Sequence, residues 1–141
     1  MKEYLQHLAS FNLWANNTFC KQLIAVPEDL LMKEITSSFP SIKKTVKHLL
    51  DAETAWWLRI NDPSTVLKFG EDYSGSFAEL AQDLNSTSKQ WVNYVSSKSE
   101  IELVSTFKYK RLEKEYESRI DRKSTRLNSS HGGISRMPSS A

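Results

Sequence analysis

The sequence predicts an all-α fold, and three observations predict it. Apolar residues recur at a 3.6-residue period in three long segments. The 141 residues include only 4 Gly and 4 Pro, too few for the many turns of an all-β fold. One segment opens on a capping box, Ser76-Phe77-Ala78-Glu79, ahead of an apolar run.

The first helix is predicted from about Lys2 to Ile24. Leu5, Leu8, Ala15, Phe19 and Leu23 share one face, with Phe11 and Asn12 on its flanks. Pro27 marks its end or the linker just beyond. The connection from Pro27 to Pro40 holds a helical turn in EDLLMKEI. A second helix starts near Pro40 or Ser41, where Pro suits a first turn, and runs to about Ile60. Its stripe is Ile42, Val46, Leu49, Trp56 and Ile60, and Asn61-Asp62-Pro63 stops it. Residues 61–75 read as a long loop, able to span ~50 Å when extended. A helix of about twenty residues is only ~30 Å long, so this loop can return the chain and set the third helix parallel to the second. The third helix follows the capping box with Phe77, Leu80, Ala81, Leu84, Trp91 and Val95, to about Ser96. LVSTFKYKRL alternates as a short extended piece. EKEYESRI reads as the acidic first turn of a fourth helix, where Glu faces the positive end of the dipole.

Composition bounds the function. Hydrophobic content of 39% and charged content of 26% describe one ordinary globular domain. The single cysteine, Cys20, leaves no internal disulfide and points to a reducing compartment. It sits beside Phe19 and reads as a small buried hydrophobe. Glu3, Gln6, His7 and Asn12 break any secretory signal, and no apolar run spans a bilayer. A bacterial-type cytoplasmic protein with no membrane partner is expected. The net charge of +2 arises after Ile120: residues 1–120 hold 15 basic and 16 acidic side chains. No nucleic-acid partner is expected from that balance.

Few side chains suggest chemistry. His48 lies about 100° around its helix from the apolar stripe, with Thr45, Ala52 and Ala55 beside it leaving room for a ligand or a helix. Its ordinary reading is a polar residue at a helix seam. Glu53 lies near the apolar stripe, so it must pair or mark a polar pocket, and it is a candidate general base or a support for a metal ligand. Trp14, Trp56, Trp57 and Trp91 are expected as core or rim packing. His7 points away from the stripe into solvent. No phosphate-binding glycine loop, Cys-x-x-Cys pair or G-x-S-x-G elbow occurs.

Two stretches carry a family resemblance. Phe11-Asn12-Leu13-Trp14-Ala15-Asn16, followed by SFPSIKKTVKHLLDAETAWW with His48, Ala52, Glu53 and Trp56 in helical register, resembles the DinB family of small metal-binding helical proteins. TFKYKRLEKEYESRI resembles the segment that precedes the family's last motif. The resemblance covers about residues 1–120. It implies an up-down-down-up four-helix bundle and a divalent metal, zinc or nickel, held by three histidines. His48 matches the first ligand; an H-x-x-x-H pair on the fourth helix would supply the others. Three imidazoles leave one position open for water or a thiolate. The resemblance further implies a transferase or hydrolase acting on a small molecule, in some members with a bacillithiol- or mycothiol-type thiol; a homodimer is an open partner state that the sequence does not decide.

The histidines here are His7, His48 and His131, and none forms that pair. Where the motif is due, the chain reads DRKSTRLNSSH and later SRMPSSA, which resemble the translation of a sequencing adapter on either side of a short index. Two segments are therefore expected: a truncated bundle over residues 1–120, with its fourth helix mostly missing or replaced, and a non-native, disordered tail over 121–141. His131 belongs to the tail and is discounted as a ligand. The expectation is a fragment of a metal-dependent enzyme, itself inactive and poorly folded or self-associating. The alternative is a metal-free helical-bundle interaction module.

Overall fold

The computed structural model describes residues 1–123. Along the chain run α1 (Lys2–Ile24), α2 (Glu28–Met32), α3 (Ile42–Asn61), α4 (Phe77–Ser97), α5 (Glu100–Val104), β1 (Thr106–Arg111) and β2 (Lys114–Arg119). The three long helices lie within a residue or two of their predicted bounds. Their starts follow local chemistry. Ser41 Oγ accepts from Lys44 N at 3.1 Å. At Ser76 the capping box closes both ways, Glu79 N to Ser76 Oγ at 3.2 Å and Ser76 N to Glu79 Oε2 at 2.7 Å. Each pairing satisfies donors that a helix start leaves open.

Two apolar clusters set the helix directions. At one end Cys20 of α1 packs with Val46 and Leu49 of α3 and with Phe77, Leu80, Ala81 and Leu84 of α4. At the other, Leu5 and Ala9 meet Trp91, Tyr94 and Val95, joined by Trp56, Trp57 and Ile60. The start of α1 therefore meets the ends of α3 and α4. The helices run up, down, down, and the loop over 62–76 makes the parallel α3–α4 pair possible.

Two expectations change. First, the fold is mostly helical and not purely α. EKEYESRI forms β2, antiparallel to β1, with Lys108 opposite Glu117 and Lys110 opposite Glu115. Cross-strand charge pairing makes the acidic residues strand partners instead of a helix start. Only from Ile120 is the chain helical again, through Lys123. Second, α1 is rotated from its predicted face. Leu5, Ala9, Asn12, Asn16 and Cys20 are buried, whereas Phe11 and Phe19 are 55% and 44% exposed. The buried asparagines serve a carboxylate on α3, described below, and that demand overrides the apolar count. Of the segment expected as a tail, Asp121 and Lys123 are buried within the helical turn. Residues 124–141, most of the predicted tail with His131 among them, lie outside the described residues.

Candidate functional site

A cleft of about 710 Å³ opens between α3, the loop after it and the β1–β2 turn. The sequence of α3 builds its floor. His48, Ala52, Ala55 and Arg59 follow one another at helical spacing and share one face. The two alanines keep that face low, so the cleft can exist. Trp56, Phe69 and Tyr109 supply aromatic walls, and Trp56 meets Tyr109 edge to face at 5.3 Å.

His48 is exposed at one end of the cleft, its ring stacked on Phe39 at 4.4 Å. Among the described residues, no group of three or more His, Cys, Asp or Glu converges as a metal site. A three-imidazole centre therefore does not fit residues 1–123 alone: His48 is one donor of the required set. Asp62, which also borders the cleft, accepts from Ser64 Oγ at 2.8 Å and from Thr65 Oγ1, closing its own turn.

Glu53 is five residues from His48, about 140° around the helix, and faces the opposite way. It is 3% exposed. Its Oε1 accepts from Asn12 Nδ2 at 2.7 Å and Asn16 Nδ2 at 2.8 Å, and its Oε2 from Ser88 Oγ at 2.8 Å. Asn16 Nδ2 also donates to Ser88 Oγ at 3.0 Å, and Trp91 Nε1 to the Glu53 carbonyl at 3.3 Å. Burial pushes the Glu53 carboxyl up from its ordinary range, against three hydrogen bonds that pull it down. Glu53 thus pairs, as its position required, but within a polar knot joining α1, α3 and α4. It does not border the cleft, and as a support for His48 or a base in the cleft it is misplaced. The sequence gives Asn16 no role beyond the Phe11–Asn16 stretch, and Ser88 none at all. Two asparagines four residues apart, in line with Leu5, Ala9 and Cys20, were the available signal.

The remaining candidates separate cleanly. Cys20 is buried, and burial pushes its thiol up to about 11, as befits an unreactive core residue. His7 is exposed. Trp91 is in the core and Trp57 packs edge-on against it at 5.4 Å, while Trp14 is 61% exposed and not core. Arg59, in the middle of the cleft wall, carried no signal in the sequence: a lone Arg in the last turn of a helix reads as a dipole partner.

A mostly helical body of antiparallel and parallel long helices, with a histidine-bearing cleft on its second long helix, defines the class. The DinB family model matches residues 1–130, and the chain belongs to the DinB family. Protein DinB of Bacillus subtilis (strain 168) is 30% identical to it over 56 residues, covering 40% of this chain and 33% of that protein. The match thus spans about a third of the relative's length. No solved structure matches. Among the described residues, no helix is long and apolar enough to cross a membrane.

Proposed function

We propose that the cleft is the small-molecule site of a DinB-type metal-dependent enzyme, a transferase or hydrolase, with His48 as one ligand of a zinc or nickel ion. The observation that carries the reading is the single histidine on a face otherwise cleared by alanines, at a cleft large enough for a small molecule. The helical turn from Ile120 supports it, because Lys123 Nζ stands 4.4 Å from the Trp56 ring, close beside this cleft. The other imidazoles would come from an H-x-x-x-H pair in a longer parent, and a low-molecular-weight thiol would be a further ligand of the metal. His48 would hold the metal, which supplies a Lewis acid or a bound thiolate. Ala52 and Ala55 leave room for substrate beside it, and the aromatic walls offer it an apolar surface.

The test is to restore the gene past Ile120 and titrate nickel by calorimetry. An H-x-x-x-H pair within about 20 residues, and tight one-to-one binding lost in His48→Ala, are expected. The 141-residue chain should bind at least a hundredfold more weakly. A continuation lacking the pair, or tight binding indifferent to His48→Ala, removes the metalloenzyme reading and leaves the interaction module.

A further inference from the structure

We propose that Arg59 anchors a carboxylate on the small molecule that the cleft takes, so the substrate class is a carboxylic acid with an apolar body. This rests on the reading of the cleft as a substrate site.

Arg59 shares the His48 face of α3, eleven residues further on, or about 16 Å along the axis. Its guanidinium folds back over Trp56, with 4.6 Å from its carbon to the ring centre. Tyr109 and Phe69 flank it at 5.3 and 5.8 Å. The rings favour the cation through their faces but offer no lone pairs in plane. Arg59 forms no ion pair with any described residue, and its buried Nε has no hydrogen-bond partner. Burial, with Arg111 nearby, pulls its pKa below the usual value, against Tyr109. A half-buried cation without a counter-ion is unfavourable unless something else on the molecule's working path supplies the anion.

The surroundings choose that anion. Arg111 and Lys110 line the same cleft and add positive charge, while Asp62 is engaged with its own turn. The planar fork of a guanidinium matches a carboxylate through two parallel hydrogen bonds. A phosphate dianion is the poorer fit. Arg59 lies in the last turn of α3, where the negative dipole end opposes any anion, and a dianion about twice as strongly as a carboxylate. The aromatic and aliphatic walls suit an apolar body between the anchored carboxylate and the His48 end. The rival is purely structural: Arg59 clamps the hairpin to α3 through its rings.

The probes are 3-phenylpropionate, its amide and 3-phenylpropyl phosphate, titrated into the 141-residue chain in EDTA at low temperature. Metal plays no part there, so failure of His48-dependent metal binding leaves this result untouched. The carboxylate should shift the Arg59 Nε–Hε NMR signal and bind at least tenfold tighter than the amide. Arg59→Met should abolish that preference while Tm holds or rises, because a half-buried cation with no ion pair among the described residues is gone. Arg59→Lys should keep only part of it. Equal binding of acid and amide, or phosphate bound tighter than carboxylate, overturns the assignment. So does an Arg59→Met variant that loses Tm and keeps the preference, which is what a structural clamp predicts.

Discussion

Glu53 shows how one side chain sets the terms for its neighbours. Three neutral donors from two helices converge on its carboxylate, so removing it strands them in a dry core. Glu53→Ala should cost about 3 kcal/mol, read by urea unfolding. Glu53→Gln retains an acceptor for both asparagines and gives Ser88 a donor. Its effect depends on pH. The folded-state pKa of Glu53 is raised above its ordinary value of 4.5, so the folded state holds the proton longer than the unfolded chain. Stability from this group is complete below 4.5 and declines as pH rises through the folded value. Glu53→Gln should therefore gain on the wild type as pH rises above 4.5. A stability difference that is flat with pH would show that Glu53 titrates normally.

At the scale of elements, the hairpin is the instructive case. Leu112 and Glu113 sit at φ 49° and 66°, the left-handed region that β-hairpin turns of two residues require and that Asn and Gly adopt at least cost. The sequence offers neither residue, so no turn signal separates TFKYKR from KEYESR. The acidic run then reads equally well as a helix start. Beside the cross-strand charges, pairing rests on the tyrosine stack, Tyr109 on Tyr116 at 5.5 Å, and on Tyr109 docking on Trp56. Leu112→Asn with Glu113→Gly should relieve the strained turn and stabilise the fold by about 1 kcal/mol, seen as a higher Tm. An unchanged or lower Tm would mean that Leu112 contributes packing at the rim of the cleft. The helices were legible for the opposite reason: Ser41 and Ser76 announce their starts, and apolar periods run unbroken behind them.

At the scale of the whole molecule, α1 faces two ways. Its buried side carries the asparagines, and its outer side leaves Phe11 and Trp14 exposed, their rings 5.6 Å apart, with Phe19 exposed further along. A homodimer through this face is the proposal for that apolar surface, since an exposed patch of large side chains favours association. Sedimentation should show a concentration-dependent dimer, and Trp14→Glu should give a monomer with unchanged helicity. Dimerisation that survives Trp14→Glu assigns the contact elsewhere.

Local sequence determined the three long helices, their caps, the long connection between the second and third, and a histidine at the edge of an apolar stripe. Periodicity and capping act over a few residues, so the sequence alone carries them. Tertiary structure decided which face of α1 is buried, that EKEYESRI is a strand, and that Glu53 and His48 point to different partners. It also brought Arg59 among three rings contributed by α3, the loop after it and the hairpin. Each of these depends on groups far apart in the chain, whose desolvation and hydrogen bonding are settled only when the helices meet.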